Sequence, residues 1–273
     1  MAHPANGALL WGSAVRAALA FLLMLPAAAL AQGGPQEVDV ALIIAVDISY
    51  SMDEDEQRLQ RKGYVEALRS TAVLDAIARG PIGRIAATYV EWAGSNSQDV
   101  VVPWQVIEGP ESADAFAERI AAAPIRRAYR TSISGAIDFS ASLFSKIGVK
   151  AMRQVIDISG DGPNNQGRPV TAARDDAVAR NITINGLPLL YKRSSYMDIA
   201  NLDAYYRDCV IGGFGAFMVP VREIEQFPDT IRKKLVMEIA GISEPAPRLE
   251  PTAAQEKTSC LVGEWRWNER MGN

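Results

Sequence analysis

The chain has 273 residues, with 28 Lys and Arg against 32 Asp and Glu and a formal net charge of −4. No long basic tract runs through it, which argues against nucleic acid as a partner. Its one histidine is His3 and its two cysteines are Cys209 and Cys260, so neither a CxxC redox motif nor a His/Cys zinc cluster can be assembled from the sequence.

The first residues carry a single charged side chain, Arg16, then an apolar run over 17–25 and the small-residue string Ala29-Leu30-Ala31. That order is a secretory signal, with cleavage expected after Ala31. The apolar run is too short to span a bilayer, and no later stretch reaches the ~18 apolar residues of a span. The mature chain is therefore expected to be periplasmic or secreted, soluble and without a transmembrane segment. Losing Arg16 and His3 leaves 27 basic residues against 32 acidic and no histidine. Ser-His-Asp and Cys-His catalysis then drop out.

"VDVALIIAVDIS" is a near-continuous apolar run, as a central parallel strand covered on both faces requires. "DEDEQRLQRKGYVEALRSTAVLDAIARG" places Leu59, Tyr64, Leu68, Ala72 and Ile77 at helical spacing before Gly80-Pro81. "RIAATYVEWAG" and "DVVVPWQVIEG" read as strands joined by "SNSQ", and a helix is expected from about Ser112. After the basic loop "PIRRAYR" come a helix ("TSISGAIDFSASLFSKI"), a buried strand ("RQVIDISGDG"), a short helix and the strand "ITINGLPLL". A helix ("MDIANLDAYYRDCV"), a strand ("GAFMVPV") and a last helix ("REIEQFPDTIRKKLVMEIAG") close the pattern. Six strands interleaved with helices predict an α/β, doubly wound, mostly parallel six-stranded sheet. The expected organisation is a signal peptide over 1–31, one domain over 38–241, a Pro-rich linker over 242–259 and a tail over 260–273. The tail carries Trp265 and Trp267 and is expected to fold back on the domain, held by a Cys209–Cys260 disulfide.

In a doubly wound sheet, ligands bind outside the carboxyl ends of the strands. Asp47, Ser49 and Ser51 follow the first strand at every second position. Asp161 and Gly162 follow "VIDIS", and Thr131 stands where a loop enters a helix. Carboxylates and hydroxyls without nitrogen or sulfur suit a hard cation, Mg²⁺ or Mn²⁺.

Asp-x-Ser-x-Ser, a distant Thr and a strand-end Asp-Gly resemble the metal-ion-dependent adhesion site of von Willebrand factor type A domains, over residues 38–241. More narrowly, "VDVALIIAVDISYSMDEDE" and "YVEWAG" resemble a group of exported proteobacterial proteins of unknown function. The resemblance implies that Ser49, Ser51 and Thr131 ligate the metal directly and that Asp47 and Asp161 act through water. Mostly neutral ligands leave the cation strongly positive, so it accepts an Asp or Glu from a protein partner and performs no chemistry on it.

Plainer readings exist for each piece. Ser51 with Glu54, or Asp53 with Glu56, fits a helix capping box. Thr131 fits a helix cap and Asp161-Gly162 a turn. Arg126, Arg127 and Arg130 read as a solvated face. At position 160, where a hydroxyl residue commonly precedes the Asp in this motif, the chain has glycine. Two alternatives compete with the binding module: a Mg²⁺-dependent hydrolase or phosphatase using Asp47, and a structural domain with a degenerate metal site. Ser49 stands where a phosphoaspartate-type enzyme would place a second acid, which counts against the first. N-terminal sequencing of the exported protein is expected to begin at Gln32; a mature product retaining residues 17–25 would contradict the leader assignment.

Overall fold

The computed structural model describes residues 35–191, 199–242 and 258–272. The expected leader lies outside these residues, as does most of the expected linker. Five strands form one sheet: β1 (Glu37–Asp47), β2 (Ile85–Trp92), β3 (Gln98–Ile107), β4 (Lys150–Gly160) and β5 (Ile182–Pro188). Their order is β3-β2-β1-β4-β5, parallel throughout except for the antiparallel edge strand β3.

β1 is central and buried on both faces, and its alternation assigns its side chains to two cores. Val40, Leu42 and Ile44 pack with Tyr64 and Leu68 of α1 (Glu54–Arg69), Ile77 of α2 (Thr71–Ala78), Phe116 of α3 (Pro110–Ala122) and Leu235 of α7 (Phe227–Ala240). Ala41, Ile43 and Ala45 face the other way. They pack with Ile133 and Ile137 of α4 (Ile133–Leu143), Ala173 of α5 (Val170–Ala179) and Tyr205 of α6 (Leu202–Tyr205). The doubly wound α/β architecture read from the sequence is the one observed.

Among the described residues the sheet has five strands, not six. "GAFMVPV" does run parallel to β5, but only as isolated bridges at Gly186–Met218 and Leu189–Val221. Val219 N–H donates to Gly186 O, and Val221 N–H to Pro188 O. The bond between these two, from residue 188 to Val219 O, is missing because proline has no N–H. Two smaller differences concern helices. The first long helical pattern is split at Ser70, which ends α1 and whose hydroxyl accepts from Val73 N–H to start α2. α3 begins at Pro110, and Ser112 bonds the Glu108 and Gly109 amides from inside the first turn.

The C-terminal segment forms α8 (Val262–Met271), and Cys209 and Cys260 are disulfide-bonded across a separation of 51 residues. Closing a loop of that size stabilises the fold by about 4 kcal/mol in the chain-entropy account. Among the described residues, no helix is long and apolar enough to cross a membrane.

Behind the sheet, α7 brings a buried ammonium to two buried carboxyls: Lys234 Nζ lies 2.5 Å from both Asp157 Oδ1 and Glu238 Oε1. Asn185 Nδ2 also donates to Glu238 Oε1, at 3.0 Å. Burial, with the Asp157 charge adding to it, raises the Glu238 carboxyl from 4.5 to about 7, against the opposing pull of Lys234 and Asn185. The folded state therefore holds a proton there that the unfolded chain has released. Its stabilisation is complete below about pH 4.5 and lost as pH rises through about 7. Denaturant unfolding across this window is expected to show stability falling with rising pH, and Glu238→Gln is expected to flatten that slope.

Candidate metal site

The register of β1 on β4 builds the site. Val46 pairs with Ser159, so Asp47 ends β1 beside the end of β4, and Asp161 follows immediately. β1 is where the strand order reverses, and the loops leaving β1 and β4 diverge onto opposite faces. Such a switch point opens a crevice at the carboxyl ends.

Asp47 is fully buried, and its Oδ1 accepts from Ser49 N–H at 2.7 Å, tightening the turn out of β1. The Ser49 and Ser51 hydroxyls lie 2.8 Å apart. Ser51 Oγ donates to Asp161 Oδ1 at 2.7 Å, across 110 residues of sequence. Four of the five residues singled out in the sequence are thus linked by a continuous chain of hydrogen bonds from the end of β1 to the end of β4.

Thr131 joins through backbone. Ser132 N–H donates to Ala93 O beyond β2, while Ile48 N–H donates to Trp92 O and Ala128 N–H to Ile48 O. These bonds hold the loop before α4 against the end of β1. Thr131 N–H donates to Asn165 Oδ1, and Asn165 N–H returns to Thr131 O, fixing Thr131 to the loop that carries Asp161.

The plainer readings separate here. The capping box of α1 is Asp53 with Glu56: Glu56 N–H donates to Asp53 Oδ1 at 2.9 Å, and Asp53 N–H to Glu56 Oε2 at 2.7 Å. Ser51 therefore reaches Asp161 while Asp53 starts the helix. Ser132, not Thr131, caps α4, its hydroxyl accepting from Gly135 N–H. The loop arginines are engaged rather than simply solvated. Arg126 pairs with Asp99 and the buried Glu91, Arg127 donates to Tyr50 O, and Arg130 donates to Asn165 O beneath the Trp267 ring.

Several supporting residues carried no sequence signal. Asn164 is buried; its Oδ1 accepts from Ser134 N–H and its Nδ2 donates to Glu264 Oε1 of α8. Tyr206 is fully buried against Gly160 and Gly186. Only the unusual Gly160 hinted that something else filled that space.

The donor set fits a hard divalent cation. Two carboxylates and the Ser49 and Ser51 hydroxyls line one sheet edge, with Thr131 held to the Asp161 loop through its backbone, and all but Ser51 are buried. Among the described residues no three His, Cys, Asp or Glu side chains converge as a metal cluster, so a cation held here would depend on the hydroxyls.

Residues 37–243 match the family described as protein of unknown function (DUF1194). The chain belongs to the DUF1194 family. No curated protein matches it. Among solved structures, this DUF1194 chain is similar to proximal thread matrix protein 1 from the mussel byssus, with a TM-score of 0.55, 14% identity and coverage of 76% of this chain and 49% of that one. The same mussel protein has also been solved with a zinc-occupied MIDAS motif. A von Willebrand factor type A protein from Catenulispora acidiphila gives a TM-score of 0.50, 13% identity and coverage of 74% and 43%. Pilus adhesin SpaC from Lactobacillus rhamnosus GG gives 0.54, 10% identity, and 76% and 32%. The fold is that of von Willebrand factor type A domains, and the chain spans at most about half the length of these proteins.

Because Asp53 and Ser51 have separate duties, their variants should differ. Asp53→Ala is expected to cost about 1 kcal/mol of stability through the lost cap. Ser51→Ala is expected to leave the Glu56 amide, which Asp53 holds, protected in hydrogen exchange; loss of protection at the Glu54 amide would return Ser51 to a capping role.

Proposed function

We propose that this DUF1194 protein is an exported protein-binding module. Asp47, Ser49, Ser51, Thr131 and Asp161 hold one Mg²⁺ or Mn²⁺, whose coordination an Asp or Glu of a protein partner completes. The observation that carries the reading is the 2.7 Å bond from Ser51 Oγ to Asp161 Oδ1, which joins the two strand ends at the switch point. The hydroxyls of Ser49, Ser51 and Thr131 would bind the cation, and Asp47 and Asp161 would orient them. The cation supplies a positive charge that neutral ligands barely offset, which is what an incoming carboxylate needs.

The rim suits a protein partner. Tyr50, between the two site serines, is 46% exposed and stacks on Tyr129, 75% exposed, with ring centroids 4.2 Å apart. The Arg127 guanidinium lies 4.8 Å from the Tyr50 ring centroid. Exposed aromatics and arginine are the residues that anchor protein interfaces. The acidic turn Glu54-Asp55 beside them is partly neutralised by Arg58, which pairs with both.

A hydrolase reading finds less support. Beyond the expected leader there is no histidine for proton transfer, and Ser49 occupies the place of a second acid. The zinc in the mussel protein belongs to that protein; an all-oxygen donor set favours Mg²⁺ or Mn²⁺ here.

Metal at about 100 times its dissociation constant is expected to stabilise the chelator-stripped protein by roughly 2.7 kcal/mol. Since buried Asp47 accepts from Ser49 N–H, the informative variant is Asp47→Asn, which keeps the shape of the turn. It is expected to lose the metal-dependent gain and to lose capture of the partner that wild type retains in Mg²⁺ and releases in chelator. Equal capture by Asp47→Asn would make the metal structural and overturn the reading.

A further inference from the structure

Position 160 is glycine, and its surroundings show what took the space of a side chain. A Cβ built there would lie 2.9 Å from the Tyr206 hydroxyl, 3.1 Å from Asp47 Oδ2 and 3.3 Å from Trp92 Cζ2. On the neighbouring strand, a Cβ at Gly186 would lie 2.7 Å from Tyr206 Cδ1. β4 and β5 are thus both reduced to glycine where the Tyr206 ring crosses them. The phenol enters from a single π-helical turn, Tyr206–Val210, an irregularity found frequently at functional sites. Cys209 of the same turn is tied to Cys260.

The Tyr206 side chain is fully buried, and its hydroxyl has no hydrogen-bond partner among the described residues. A buried hydroxyl left unpaired costs about 1–3 kcal/mol, and phenylalanine would fill the same slot without that cost. The hydroxyl therefore calls for a role outside the packing of the domain. Burial first, then the charges of Asp47 and Asp161, push its ionisation far above the ordinary tyrosine range, so it stays protonated and able to donate.

We propose that Tyr206 is a positioning residue of the metal site, its hydroxyl standing in for the side-chain hydroxyl that position 160 lacks and donating at the Asp47–Asp161 edge in the cation-loaded protein. This rests on the metal-site reading above and adds to it a residue from the opposite face of the sheet to α1. It also gives the disulfide a local role, since Cys209 fixes the turn that aims the phenol.

The test uses Mn²⁺ alone as the probe, titrated by calorimetry into chelator-stripped full chains of wild type, Tyr206→Phe, and Tyr206→Phe combined with Gly160→Ser. Denaturant stability of each metal-free form is measured in parallel. Tyr206→Phe is expected to bind Mn²⁺ on the order of tenfold more weakly, as loss of an outer-shell partner does. Its metal-free form should be at least as stable as wild type. In the Tyr206→Phe background the nearest atom to a Cβ at position 160 becomes Asp47 Oδ2 at 3.1 Å, so the added serine is expected to fit and to recover most of the affinity. A metal-free Tyr206→Phe less stable than wild type would mean the hydroxyl makes a structural bond, overturning the inference whether or not metal binds. Unchanged Mn²⁺ affinity in Tyr206→Phe, or no recovery in the double variant, would overturn it as well while leaving the metal site standing. Wild type that binds no Mn²⁺ would overturn the metal-site reading and this inference together.

Discussion

The parallel pairing of β1 with β4 is the constraint on which the rest of this molecule depends. With Val46 opposite Ser159, the last residue of one strand and the first residue beyond the other share an edge. A register slip of one residue would send alternate side chains of β1 to the wrong face, exchanging Val40, Leu42 and Ile44 with Ala41, Ile43 and Ala45. The larger side chains face the four-helix layer and the smaller ones, Ile43 apart, the tighter layer, so the core itself fixes the register. Packing of apolar residues decides where Asp47 and Asp161 stand.

That edge gathers oxygen atoms the interior would otherwise penalise. Buried polar groups are tolerated when each has a partner. The turn from Asp47 to Ser49, the serine pair and the reach of Ser51 to Asp161 pass hydrogen bonds along the edge. The contrast with the network behind the sheet is instructive. There, the Lys234 ammonium lies against both Asp157 and the Glu238 carboxyl, an internal cation within the core. At the open end, Asp47 accepts from the Ser49 amide and Asp161 from the Ser51 hydroxyl.

Much of this was legible in the amino-acid order because it was local. The unbroken apolar run of β1 and the oxygen donors just beyond it are features of a dozen consecutive residues. The cap of α1 was not decidable: Ser51 with Glu54 and Asp53 with Glu56 obey the same spacing rule. Only the distant Asp161 separates them, by claiming the Ser51 hydroxyl. The sixth strand failed for a reason that also lies elsewhere. "GAFMVPV" has strand-like composition, but the missing N–H belongs to Pro188 on its partner. Tyr206 was invisible because nothing near it in sequence marks it. Two glycines on separate strands make its slot, and they meet only once the sheet exists.

The disulfide has a consequence in time. A chain emerging from its N-terminus presents Asp47, Ser49, Ser51, Thr131 and Asp161 before Cys209, and Cys260 comes 51 residues later still. The bond that fixes the π-helical turn needs both cysteines and an oxidising milieu. The sheet, its two cores and the oxygen edge can thus be assembled while the turn beneath them is still untied. If Tyr206 supports the metal site as proposed, its contribution to that edge waits on the oxidation that ties its turn, after the domain that bears it can already have folded.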